Sequence, residues 1–162
     1  ADGSHAAADL ATLLERARAG ADLVIGSRYV RGGGVRDWGR IRRLVSRAGC
    51  WYARRVLGLH LRDATAGLKC FRGDALERIG PATLRSRGYA FHVELKWRAV
   101  RHGLRVEETP IVFAPRRSGR SKMTPRIAME AAWMVPALRL AAAGERVRRR
   151  RRPSREAAAG HS

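Results

Sequence analysis

The sequence predicts an α/β fold, and three observations carry that prediction. Segments of helical period alternate with short apolar runs along most of the chain. Gly20 and Gly103 stop two of the helical segments where a helix-breaking residue is needed. Hydrophobic residues make up 45% of the 162 residues and charged ones 30%, enough apolar material for the core of one domain. Only about three strands are visible, so the sheet reads as part of a doubly wound one.

Each element has a local reason. Residues 6–19 (AAADLATLLERARA) predict a helix, with Leu10, Leu13, Leu14 and Ala17 at helical spacing. Asp22–Gly26 is a short apolar run after a turn, the pattern of a buried strand. Residues 31–39 (RGGGVRDWG) form a Gly-rich loop. Residues 40–57 predict a helix with Ile41, Leu44, Val45, Ala48 and Tyr52 on one face. Arg42, Arg43, Ser46, Arg47 and Arg54 lie on the other side. Gly67–Arg72 reads as a strand and 73–79 as a short helix. Residues 91–102 suit a helix. Val106–Phe113 reads as a strand in which Pro110 marks an edge or bulge. Residues 124–143 predict a last helix, kinked at Pro136.

Charge narrows the function. Lys+Arg is 34 against 14 for Asp+Glu, a net of +20, and every cation except Lys69, Lys96 and Lys122 is Arg. Residues 145–162 carry seven Arg and two Glu and little that could build a core. The folded part is therefore expected over 1–143, with a disordered Arg-rich tail over 144–162. The folded part is itself basic, so the chain should seek anions: phosphates, nucleic acid or an acidic membrane surface. Cys50 and Cys70 stand twenty residues apart with no CxxC, which excludes a disulfide scaffold and a Cys-rich zinc site. No uncharged apolar run approaches the ~20 residues that span a bilayer. The chain has no initiator Met, which suits a start inside a longer protein. His5, His60, His92, His102 and His161 show neither metal spacing nor a nucleophile partner.

Six motifs carry candidate chemistry. Asp2 before Gly3 and Ser4 offers oxygen to a hard divalent cation, or else caps a helix. Gly26-Ser27-Arg28-Tyr29 follows a strand, where α/β sheets bind ligands, and Arg28 there can grip a phosphate or simply face solvent. Arg42 and Ser46 are i and i+4, so a guanidinium and a hydroxyl can share one phosphate on a face that is otherwise merely solvated. Asp63 opens a polar turn, Asp63-Ala-Thr-Ala-Gly-Leu-Lys69, that leads into a strand. Glu94, in Tyr89-Ala-Phe91-His-Val-Glu94, can orient a donor sugar or a cation, or pair with a neighbouring Arg. Arg116-Arg117-Ser118-Gly119-Arg120-Ser121-Lys122 brackets a Gly/Ser turn with cations, as a flexible phosphate clamp or an exposed loop. It lacks P-loop spacing.

The succession of these motifs resembles the polyprenol-phosphate (dolichol-phosphate) mannose synthases, inverting glycosyltransferases of family 2, over roughly residues 1–140. The resemblance implies a partial GT-A, Rossmann-like fold whose N-terminal nucleotide-binding half lies before Ala1. It implies transfer of mannose from GDP-mannose to polyprenyl phosphate, by a chain expected to be inactive alone. It implies Mg or Mn on the donor diphosphate, with Ala1 and Asp2 as the last two residues of a DxD motif and Asp2 as metal ligand. Arg28 and Asp2 would be the catalytic residues. Arg28, Arg116 and Lys122 would join Ala1 and Asp2 in binding the donor. Arg42 and Ser46 would hold the acceptor phosphate, with Asp63 and Glu94 in support. Arg120 stands where relatives often carry Glu. Another hexosyl synthase shares these motifs, and a basic nucleic-acid-binding module is the reading from another class, although no nucleic-acid motif is present. A lipid acceptor requires a membrane. The 124–143 helix, with Ile127, Ala131, Met134, Val135 and Leu138 on one arc and Met129, Trp133 and Leu140 flanking it, is expected to lie in the interface. A peripheral protein on the cytoplasmic face, drawn to anionic lipids and without a specific nucleic-acid partner, follows. The Ala- and Arg-rich composition suits a bacterium.

Overall fold

The structure, a computed structural model, describes residues 7–84, 86, 88–114 and 125–150, with side chains of the last helix described at 129 and 132–144. The chain is mixed α/β, built on a small mixed sheet of order β3-β1-β4. Its central strand is β1 (Leu23–Ser27), buried at all five positions. β1 runs parallel to β4 (Val106–Pro110), pairing Leu23 with Val106 and Ser27 with Pro110. It runs antiparallel to β3 (Lys69–Phe71), pairing Leu23 with Phe71 and Ile25 with Lys69.

The period-2 pleat splits β1 between two apolar clusters. Val24 packs with Leu13 and Ala17 of α1 (Ala7–Arg18) and with Ala21. Leu23 and Ile25 face the other way, toward Ala75 and Ile79 of α3 (Gly73–Ile79) and Leu95 and Ala99 of α4 (Gly88–Arg101). A third cluster lies beyond α4. There α2 (Arg40–Leu57) and α5 (Pro125–Arg150) bring Ala53, Leu57, Val135, Leu138 and Ala142 onto Val93 and Trp97.

Several elements differ from the sequence reading for physical reasons. The expected strand Val106–Phe113 divides at Ile111 into β4 and a two-residue β5 (Val112–Phe113). β5 pairs with β2 (Gly34–Val35) in a separate two-stranded sheet. Pro110 is the last residue of β4, which lies at an edge of the sheet, one of the two readings open for it in the sequence. The Ile111 amide donates to Ser27 and the Gly34 amide to Ile111, so this one residue joins the two sheets. On α1, Leu10 and Leu14 are exposed and only Leu13 and Ala17 pack. α4 begins three residues before the expected start, and α5 runs to Arg150, past the expected boundary at 143. Residues 151–162 lie outside the described residues.

The apolar face of α2 is the main correction. Ile41, Leu44 and Val45 do not enter a core: Ile41 is 80% and Leu44 70% exposed. The helix packs by its C-terminal half, through Cys50, Ala53 and Leu57, while its N-terminal half leaves the apolar stripe uncovered. Gly58, in the left-handed region at φ 67, caps it through a bond to the Arg54 carbonyl. In the Gly-rich loop a Cβ on Gly33 would stand 2.5 Å from the Ser27 carbonyl oxygen, so only glycine lets the loop fold back onto the end of β1.

Candidate functional site

The C-terminal end of β1 delivers Arg28 into a buried network. Its Nε donates to Asp63 Oδ2 at 2.7 Å, and its Nη2 to Asp63 Oδ1 at 2.7 Å and Thr65 Oγ1 at 2.8 Å. Its backbone amide also donates to Asp63 Oδ2, at 3.0 Å. Asp63 is fully buried. Burial opposes both charges, but the two-pronged bond outweighs it. Arg28 is held above, and Asp63 below, its ordinary pKa.

The turn that carries Asp63 is fixed from two further sides. Glu108 of β4 accepts the Arg62 amide at 2.6 Å and the Asp63 amide at 2.8 Å. Lys96 of α4, fully buried, donates to the carbonyls of Ala64 at 2.8 Å and Ala66 at 2.7 Å. Burial lowers Lys96 to about 7. Nearby, Lys69 Nζ meets His92 Nδ1 at 2.8 Å. Burial lowers Lys69 to about 8, and burial followed by the Lys69 charge lowers His92 to about 4.

Two aromatic rings spread the cationic site outward. The Trp38 ring is approached by Arg28, 5.5 Å from its centroid, and by Arg42, at 4.0 Å. Phe113 of β5 meets Trp38 edge to face at 5.6 Å, so the small second sheet positions the indole. The Tyr29 ring is approached by Arg28 at 5.3 Å and Arg47 at 5.7 Å, and its hydroxyl donates to Ser46 Oγ at 2.7 Å. Burial raises the Tyr29 pKa, so the phenol stays protonated and donating.

The structure therefore brings Arg28, Arg42, Ser46 and Asp63 together. Glu94 stands apart from them, with its carboxylate accepting the Ser86 amide at 2.8 Å and Arg98 Nη2 at 2.7 Å. Of the two readings open in the sequence, the pairing with a neighbouring Arg is present. Ala1, Asp2, Ser4, Arg116, Arg120 and Lys122 lie outside the described residues. Among the described residues, no group of three or more His, Cys, Asp or Glu side chains is placed to hold a metal ion. Sequence reading assigned no role to Tyr29, Trp38, Thr65, Lys96 or Glu108. Lys96 carried little local signal, because Glu94 and Arg98 flank Leu95-Lys96-Trp97 and the segment reads as an ordinary mixed helix face.

Guanidinium groups held on aromatic faces beside hydroxyls are suited to binding phosphate oxygens. They cannot serve as general bases, because Arg stays protonated.

No family model matches the chain. It is 45% identical over 135 residues to the polyprenol monophosphomannose synthase of Mycolicibacterium smegmatis, covering 83% of this chain and 51% of that protein. It is 45% identical over 150 residues to the undecaprenyl-phosphate mannosyltransferase of Micrococcus luteus, covering 93% of this chain and 61% of that protein. The chain thus spans between half and two thirds of the length of these relatives, and over that span it is a homologue of the polyprenol-phosphate mannose synthases.

Proposed function

We propose that this chain forms the acceptor side of a transferase that moves mannose from GDP-mannose to polyprenyl phosphate, releasing GDP, on a partial GT-A framework. The observation that carries this reading is the gathering of Arg28, Arg42 and Ser46 around Trp38 and Tyr29 at the end of β1. The names of the two relatives support a mannosyl donor and a lipid phosphate acceptor. A three-stranded sheet with β3 at one rim is also what part of a larger GT-A sheet would present.

In this mechanism a phosphate oxygen of the acceptor attacks the anomeric carbon, and the bond from that carbon to the GDP diphosphate breaks. The nucleophile is already an anion, so no residue has to remove a proton. Arg42 and Ser46 hold the acceptor phosphate and Arg28 faces the charge that develops between acceptor and donor. Asp63, Thr65 and Lys96 keep Arg28 in place. A divalent cation, Mg or Mn, would neutralise the departing diphosphate. Asp2 is the candidate ligand and Arg116 and Lys122 the candidate donor contacts, and none of the three lies among the described residues. The reaction site would work at the cytoplasmic face of a membrane, with the protein peripheral to it.

The test is mannosyl transfer by the full reading frame that encodes this chain. Arg42→Ala is expected to lower turnover by about 100-fold or more, and Arg18→Ala, on α1, by less than about twofold. Equal losses at both positions would overturn the assignment. Preference for a different nucleotide sugar would overturn the mannosyl reading.

A further inference from the structure

On the other flank of α2 a cleft of about 310 Å³ is lined by Tyr29, Arg47, Cys50, Trp51, Arg54 and Arg62. Half of its lining is arginine. Among the described residues, none of these three guanidinium groups meets a carboxylate. Arg47 rests over the Tyr29 ring, Arg54 Nε is buried without an acceptor, and Arg62 bonds Glu108 only through its backbone amide. Three like charges converging on one cleft repel each other, and a buried donor without an acceptor is costly. An anion in the cleft relieves both. The floor does not oppose it, because burial and then the neighbouring Asp63 raise the Cys50 pKa and keep the thiol neutral.

The helix geometry gives the rest of the ligand. At about 100° per residue, Arg54, Arg47, Trp51, Leu44 and Ile41 follow one another around α2. Trp51 is 64% exposed, and Leu44 and Ile41 are uncovered as well. The arginine cleft thus passes through an indole onto an apolar strip. Arg42 lies on the opposite flank, across the buried Cys50–Ala53–Leu57 face, whereas Ser46 falls on that face and accepts from Tyr29, which also lines the cleft.

We propose that this cleft seats the phosphodiester headgroup of an anionic membrane phospholipid, with its acyl chains along Trp51, Leu44 and Ile41. The cleft adjoins the proposed acceptor site through Tyr29 but takes its charge from Arg47, Arg54 and Arg62, and it holds the protein to the bilayer by lipid chemistry other than that of the acceptor. A chain without transferase activity would still bind.

The experiment is calorimetric titration of the 162-residue chain with dihexanoyl phosphatidylglycerol below its micellar concentration. Dihexanoyl phosphatidylcholine and inorganic phosphate serve as parallel probes. Phosphatidylglycerol is expected to bind saturably, at least tenfold tighter than either other probe. Arg47→Gln/Arg54→Gln/Arg62→Gln is expected to weaken it at least tenfold, and Arg18→Gln/Arg78→Gln/Arg101→Gln by less than twofold. Arg62→Gln alone alters an exposed side chain that bonds nothing among the described residues, so it leaves the fold intact and is expected to weaken binding about threefold. Equal binding of phosphatidylcholine would overturn the charge recognition. Equal binding of inorganic phosphate would overturn the lipid. An equal loss in the control triple variant would reduce the cleft to diffuse basicity and overturn the site.

Discussion

The stability of the site rests on few side chains, and Asp63 is the first of them. Its removal leaves Arg28, only 9% exposed along its side chain, without its counter-charge. Asp63→Ala is expected to cost about 3–5 kcal/mol in urea unfolding. Thr65→Val, which deletes one bond to a charged donor, should cost about 1.5–3 kcal/mol. Equal, sub-kcal losses would mean that the pair behaves as a surface ion pair. Lys96 adds a pH signature. Its folded value is about 7 and its ordinary value 10.5. Between those values the unfolded chain binds the extra proton, so stability rises with pH from about 7 to 10. Lys69, at about 8, adds to the upper part of that rise. Thermal melts across this range should flatten in Lys96→Met and, to a lesser degree, in Lys69→Met. An unchanged slope in both would refute the assignment. Asp63 was legible as a polar turn residue, but its partner was not. Arg28 lies 35 positions away and is brought there by strand pairing, which no local pattern encodes.

At the level of elements, local signals were read well and partners were not. Gly20 and Gly103, the two stops read from the sequence, adopt positive φ, at 106 and 68, just beyond the ends of the helices that they follow. A stop depends only on the residue that makes it. An apolar stripe states that something covers it, not what. On α2 the period pointed to Ile41, Leu44 and Val45, whereas Cys50, Ala53 and Leu57 do the packing. Leu57→Ala is therefore expected to cost about 2–5 kcal/mol. Ile41→Ser and Leu44→Ser should each stay within about 0.5 kcal/mol. On α5 the expected interfacial arc is divided. Val135 and Leu138 pack against α2 and α4, while Met129, Trp133 and Leu140 remain exposed. Val135→Ala should lower the melting temperature and Trp133→Ala should leave it unchanged. The reverse pattern would place the core on the wrong side of α5.

Across the whole molecule, the order of helices and strands was legible because each is announced locally. The sheet order β3-β1-β4 was not, since it depends on which strands meet after the helices have packed. The resemblance to a family named Arg28, Arg42 and Ser46, which the fold brings together, because its motifs fix an order of residues. Trp38 and Tyr29, which bind that order into one surface, went unassigned because aromatic residues more often build cores. The net charge of +20 also acts at this scale. Attachment to vesicles rich in anionic lipid should weaken steeply between 0.05 and 0.5 M salt in a sedimentation assay, as screening shortens the reach of surface charge to roughly 4–14 Å. Attachment insensitive to salt would assign the binding to the exposed apolar residues alone. No described helix is long and apolar enough to cross the bilayer.

Cys50 gives the site a chemical clock. Its Sγ lies 3.5 Å from Asp63 Oδ1 and 3.3 Å from Thr65 Oγ1, on the buried face of α2 at the floor of the arginine cleft, whereas Cys70 is half-buried on β3. A thiol reagent must wait for α2 to lift from the Asp63 turn before it can reach Cys50, while Cys70 needs only a smaller excursion. Labelling in two phases would therefore time the opening of the arginine network without any added probe. The slow phase belongs to Cys50, vanishes in Cys50→Ala, and lengthens whenever an anion bridges the helix to the turn.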